Sequence, residues 1–458
     1  MNDPADAHAG AARRRLSLID TTSIMIGIII GAGLYETAPR VANNISNEYW
    51  LIAAWALGGV YALLGALCYA ELATAYPADG GDYVYLTRAF GRPAGFLFAW
   101  AQLWIIRPGS IGVMAYVFGR YATQLYALGE HSFDVYAVAS VVVLTLINIV
   151  GLQAGKWTQN LLTAVKLAGL LGVVLVGFLA RAPAQEATIA TPNEALAIIF
   201  VVFTYGGWND LAFAAAEVRN PDRNISRALV LGTSAVMAIY VIVNMAFLHA
   251  LSFDGVRASN AVAADAMAVG LGDFGRRGIS VLVCISTLGS INGMILTGAR
   301  VYYAMGRDHR LFGFLGRWNS KWGTPATSLV TQAACTLVAV VGFAMVEYAR
   351  LGEAGAASAS SGFERLVIFT TPVMWFFLCS TGVTLMVLRQ REPGSSRAFR
   401  VPGYPFTPIV YCAGAAYIIW SSLNYALANG SWEAGLAVGL LAAGVPFAFL
   451  SRGRDSQA

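Results

Sequence analysis

The chain has 458 residues, 57% of them hydrophobic and 12% charged, with a mean hydropathy of +0.61. A water-soluble core cannot absorb that much apolar surface, so a soluble globular protein is excluded. The net charge of +5 lies mostly in short stretches between apolar runs and reads as a topology signal, not as a nucleic-acid surface.

A bilayer-spanning helix needs about 20 mostly apolar residues. About twelve runs qualify, at 18–43, 49–75, 94–126, 133–151, 159–180, 194–217, 227–250, 275–304, 326–347, 364–388, 406–427 and 433–450. None alternates apolar and polar residues as a barrel strand would. The sequence therefore predicts an all-α polytopic membrane protein. Arg13 to Arg15 before the first run resemble a leader peptide, but the run is too long and lacks a small-residue cleavage pattern. Positive residues collect on one parity of loops: Arg88 and Arg92, Arg219 and Arg223, Arg307 to Lys321, Arg389 to Arg400, and Arg452 with Arg454. Positive loops stay inside, so both termini are expected in the cytoplasm and the chain in the cell (inner) membrane, surrounded by lipid. Arg257, Arg276 and Arg277 fall on the opposite side, near Asp254, Asp265 and Asp273.

The first run reads IMIGIIIGAGLYETAPRVA, with Gly27, Gly31 and Gly33 at mid-membrane depth; the sixth reads IIFVVFTYGGWNDLAF, with Gly206 and Gly207 at similar depth. Clustered glycine weakens a helix by up to about 1 kcal/mol per residue. Unwound backbone in lipid must be satisfied by protein or must line a cavity. Gly27 and Gly31 taken alone fit tight helix packing as well. Breaks in the first and sixth spans, however, are equivalent points of two five-helix halves, the pattern of inverted-repeat transporters. Half-helix ends offer amides to a carboxylate and carbonyls to an ammonium, which suits a zwitterion.

Lys166 lies within the fifth run, and a lysine at the bilayer centre costs about 2.5–3.5 kcal/mol. It either snorkels to the cytoplasmic surface or takes a buried functional partner. The chain has only three lysines, Lys156, Lys166 and Lys321, which favours the second reading. Ser286 and Ser290, spaced i,i+4 in the eighth run, share one helix face. Arg107, before Pro108, and Asp210 are further buried charges with no assignable partner, whereas Glu71, Glu217 and Arg300 read as structural. The five cysteines all lie in apolar runs, which gives no disulfide framework or metal-ligand spacing. The four histidines are scattered, and nothing supports catalysis or a cofactor.

The strings IIIGAGLY, GALCYAELATAYPADGGDYVYL, LWIIRPGS, AVKLAG, FTYGGWNDLAFAAAEVRNPDRNISRAL and STLGSINGMILTGARVYYAMGRD resemble the amino acid/polyamine/organocation superfamily, above all the L-type amino acid transporter family and its bacterial homologues. The resemblance implies the leucine-transporter fold: a tail over 1–17, inverted five-helix repeats over 18–180 and 194–388, helices 11 and 12 over 406–450, and a tail over 451–458. It implies a substrate carboxylate on the amides of Gly31, Ala32 and Gly33, and an amino group on the carbonyls of Ile29, Phe203 and Gly206. Phe203 would be an aromatic lid and Asn209 a polar wall. Lys166, with Ser286 and Ser290, matches the place where sodium-independent relatives put an ammonium in place of sodium. Ala32 stands where many relatives have serine, and Asp210 where animal members have an aromatic residue. No cysteine lies between the third and fourth runs, so no disulfide-linked heavy chain is expected. The function implied is secondary transport of neutral L-amino acids across the cell membrane by alternating access, through sodium-independent exchange or facilitated diffusion. Proton-coupled, polyamine or cationic amino acid carriage, and a non-transporting sensor, stay open.

Overall fold

The computed structural model describes residues 15–129, 131–182, 192–259, 261–356, 359–428 and 430–451; the expected tails lie almost wholly outside them. The described residues are helical almost throughout, with only two isolated β-bridges, Leu16 to Val218 and Asn319 to Thr324. In chain order the helices are α1 (Leu18–Ile29), α2 (Gly33–Asn43), α3 (Glu48–Ala75), α4 (Asp82–Phe90), α5 (Arg92–Ala101), α6 (Arg107–Leu125), α7 (Ser132–Val150), α8 (Leu152–Leu179), α9 (Glu194–Thr204), α10 (Pro221–Ala258), α11 (Val262–Asp308), α12 (Ala326–Ala356), α13 (Ala359–Arg391), α14 (Phe406–Ala428) and α15 (Trp432–Leu450). A 3-10 segment, Trp208–Glu217, follows α9.

Among the described residues ten helices are long and apolar enough to span a bilayer, or eleven if α1 and α2, bent by 44°, form one span; about twelve were expected. The shortfall is the run at 94–126. It is helical from Arg92 to Leu125, but a π turn over Gln102–Ile106 divides it into a ten-residue α5 and an α6 carrying Arg107 and Arg120. Pro108 has no N–H to give, and its ring would press on the carbonyl four residues back. The wider turn, in which the Arg107 amide donates to Gln102 O, accommodates it.

α11 is the most enclosed helix, running through the centre of the bundle against α6, α7, α8 and α1. Two of the three arginines expected on the outer side are held locally. Arg257 donates to Ala42 O (3.1 Å) and Ile45 O (3.0 Å) at the end of α2, where free carbonyls favour a cation, and lies 3.8 Å from Asp254. Arg276 lies 3.4 Å from Asp265. Glu217 and Arg300 form a buried pair at 2.8 Å, and Glu71 pairs with Arg389 and Arg397, consistent with structural roles.

Candidate substrate site

The first span stops being helical at Ile30 (φ −76°, ψ 77°) and resumes at Gly33. The two readings of its glycines separate by residue. Gly27 sits inside intact α1, where a Cβ would lie 1.9 Å from Gln159 Nε2, so it serves close packing. Gly31 lies in the break, facing Met114 and Ser290. The Gly31 amide donates to Ile29 O at 2.8 Å. In α2 the first intrahelical bonds run from Tyr35 and Glu36 to Ala32 O, leaving the amides of Gly33 and Leu34 with the positive end of the helix.

The sixth span breaks between Thr204 and Trp208. Gly207 has φ 108°, a left-handed conformation that favours glycine, and a Cβ there would lie 2.7 Å from Ile28 Cγ2 of α1. The Gly206 amide turns back onto Phe203 O at 3.0 Å. The breaks are neighbours: a Cβ on Gly33 would meet Thr204 Cγ2 at 3.1 Å, and the Thr37 and Thr204 hydroxyls share a 2.8 Å hydrogen bond. Tyr240 of α10 points its hydroxyl at both, 2.9 Å from Ile29 O and 3.3 Å from Thr204 O.

Both breaks line one cavity of about 100 Å³, room for several waters or one small solute. Ile29, Gly31, Gly33, Phe203, Gly206 and Asn209, all expected at the site, face it; Ala32 is buried beside them but does not line it. The Ile29 oxygen already accepts from the Gly31 amide and the Tyr240 hydroxyl.

Arg107 and Asp210 also line the cavity and pair with each other, Nη1 to Oδ2 at 2.6 Å and Nη2 to Oδ1 at 2.7 Å. Arg107 further donates to Gln102 Oε1 (3.2 Å) and lies over the Phe213 ring, 5.0 Å from its centroid. No spacing rule joins residues 103 positions apart; the π turn before Arg107 and the glycine break before Asp210 bring them together. Sequence reasoning missed Tyr240 and Asp82, a tyrosine in an apolar run and an acid in a loop motif, neither of which carries a periodic signal.

Lys166 does not snorkel. Its side chain is fully buried, and Nζ donates to Gly27 O (2.8 Å) and to Ile30 O. Ser290 Oγ donates to Gly27 O (2.9 Å) and Ser286 Oγ to Ile30 O (3.2 Å). Lysine and serines therefore converge on the same two carbonyls at the end of α1, from α8 and α11.

The family profile described as amino acid permease matches residues 16–433. The chain is 30% identical over 441 residues to the serine/threonine exchanger SteT of Bacillus subtilis, covering 95% of this chain and 96% of that one. It is 27% identical to the b(0,+)-type amino acid transporter 1 of Mus musculus (96% and 88% covered) and to the large neutral amino acids transporter small subunit 2 of Homo sapiens (96% and 81%). Broken helices around a small polar cavity, in a multi-pass helical protein matched nearly end to end, have one consistent explanation: the chain belongs to the amino acid permease family, a family of transporters and not of enzymes.

Proposed function

We propose that the chain is a sodium-independent, alternating-access exchanger of neutral L-amino acids. Two inverted halves, 18–180 and 194–388, would close alternately around the site, with 406–450 outside the repeat. The observation that carries this reading is the meeting of two helix breaks at one cavity. The amides of Gly31, Ala32 and Gly33 would take the carboxylate, and the carbonyls of Ile29, Phe203 and Gly206 the ammonium. A substrate would replace the bonds these groups make within the breaks, with Phe203 covering it and Asn209 beside it.

The Arg107–Asp210 pair cancels within the cavity, which supports a neutral side chain over a charged one. Lys166 supports sodium independence: a fixed ammonium holds the carbonyl oxygens that a hard cation would need. The names of the relatives, an exchanger and amino acid transporters, support amino acids as cargo. The chain would act in the inner membrane with both termini inside and without a disulfide-linked heavy chain.

Proteoliposomes test this with a panel of labelled amino acids, L-serine included, preloaded or empty and in sodium or choline buffer. Uptake that is strongly stimulated by an internal neutral amino acid and ignores sodium is expected; no uptake of any amino acid, no stimulation by internal amino acid, or a sodium requirement, overturns it. Cysteine labelling near Arg219 and Asp265 checks orientation, with only the latter expected to react from outside.

A further inference from the structure

The cavity holds one guanidinium and two carboxylates, Asp210 and Asp82, and only Asp210 is paired with the cation. Asp82 begins α4, the short helix between α3 and α5, and is 1% exposed. Its Oδ1 accepts from the hydroxyls of Tyr69 on α3 and Thr381 on α13. Its Oδ2 is buried and meets no donor at hydrogen-bond geometry among the described residues. The titratable groups around it are Tyr69, Tyr85 on α4, Tyr411 on α14 and Asp210, whose own charge is taken by Arg107. None is a free cation. A bare carboxylate oxygen in such a place is costly, whereas a neutral carboxyl group is tolerated.

Asp82 is also fixed to the part of the site expected to move. Gly80 N donates to Phe213 O in the 3-10 segment at 3.0 Å. Gly81 has φ 48°, and a Cβ there would lie 2.9 Å from the carbonyl carbon of Ala212, so backbone lies against backbone with no space between. The loop must follow the 3-10 segment, while Thr381 belongs to α13. A shift of the segment relative to α13 changes how many donors Asp82 has and whether water reaches Oδ2.

We propose that Asp82 is a proton-binding site of the transport cycle, so that a neutral amino acid crossing without counter-substrate carries one proton with it. This rests on the carrier reading above. The step is an acid–base one: an O–H bond forms on Oδ2 with a proton from water on the side of entry, and breaks to water on the side of exit, with nothing oxidised or reduced. Burial pushes the Asp82 carboxyl up to about 7, with Asp210 adding to the push and the Thr381 and Tyr69 hydroxyls opposing it. The group can therefore load and unload near neutral pH. In exchange the proton crosses in both directions and cancels; only uptake into empty vesicles is acid-driven.

The test uses the full-length protein in liposomes with L-serine as probe, potassium and valinomycin clamping the potential, and pyranine inside reporting pH. With the outside about two pH units more acidic, uptake into empty vesicles should rise several-fold and acidify the lumen, with accumulation bounded at about 100-fold for one proton per substrate. Asp82→Asn should abolish acid stimulation and the lumenal signal relative to its own exchange rate. Should that variant transport nothing, Thr381→Val decides: loss of a donor to the carboxylate should move the acid-activation midpoint to higher pH, and an unmoved midpoint overturns the proposal. It is overturned as well if wild type exchanges serine yet ignores the pH gradient, or if Asp82→Asn keeps the proton flux. Inhibition by L-lysine that vanishes in Asp82→Asn, without proton flux, would make Asp82 a side-chain recognition group instead. Failure of wild type to exchange any amino acid defeats the carrier reading itself.

Discussion

Arg107 and Asp210 face each other in a bidentate ion pair across the cavity, one from the start of α6 just after the π turn and the other from the 3-10 half of the sixth span. Both side chains are under 8% exposed, so each charge depends on the other. Removing one partner of a buried pair costs about 3–5 kcal/mol, while replacing both by packed apolar residues is close to neutral.

Arg107→Met and Asp210→Met are therefore each expected to lower the melting temperature in detergent markedly, and the double variant to recover most of the loss. Fluorescence melts of the three variants measure the coupling as a double-mutant cycle. Additive losses would mean that the pair contributes little. Transport should be lost in the double variant even where stability returns, because the cavity loses its polar wall.

The two glycines of the sixth span should differ. Gly207→Ala introduces a side chain at φ 108° and 2.7 Å from Ile28, so uptake should fall below detection while membrane insertion survives. At Gly206 a Cβ meets only Phe203 O, at 3.1 Å, and Gly206→Ala should keep measurable uptake. Equal losses would show that the conformation of Gly207 is not the constraint.

Lys166→Ala removes two charge-assisted bonds to the end of α1, each worth about 1.5–3 kcal/mol. The expected outcome is slower turnover, at least about tenfold if 1.4 kcal/mol or more of this is lost from one end state, with smaller change in substrate affinity, since Lys166 does not line the cavity. Uptake and binding assays in sodium and choline separate the two effects. Unchanged turnover would leave Lys166 a packing residue.

Glu392, after α13, accepts from Arg88 Nε (2.7 Å) and Nη2 (2.9 Å) and from the Tyr76 hydroxyl (2.9 Å). The Arg88 bonds hold its carboxyl below the usual glutamate range. A group lowered in this way stabilises the fold above its unfolded value, about 4.3, and loses that contribution as pH falls through the lower folded value. Glu392→Gln should cost up to about 1 kcal/mol at neutral pH, because the pair is exposed and screened. The difference from wild type should vanish in acid; thermal melts across pH check the sign.

Composition and run length were enough to establish a multi-pass helical protein, because burying that much apolar surface requires lipid on the outside. The glycine clusters located both breaks, since a helix without side chains at mid-depth is weak wherever it sits. A lysine in an apolar run of a lysine-poor chain announced a buried partner. The sequence could not choose between packing and unwinding for Gly27 and Gly31, a choice made by Gln159 against one and the open turn beside the other. Only the tertiary structure paired Arg107 with Asp210, set Tyr240 between the breaks and left one oxygen of Asp82 without a donor among the described residues. Ion pairs and hydrogen bonds between distant helices depend on how the helices are rotated and crossed in three dimensions, and local periodicity carries no record of that.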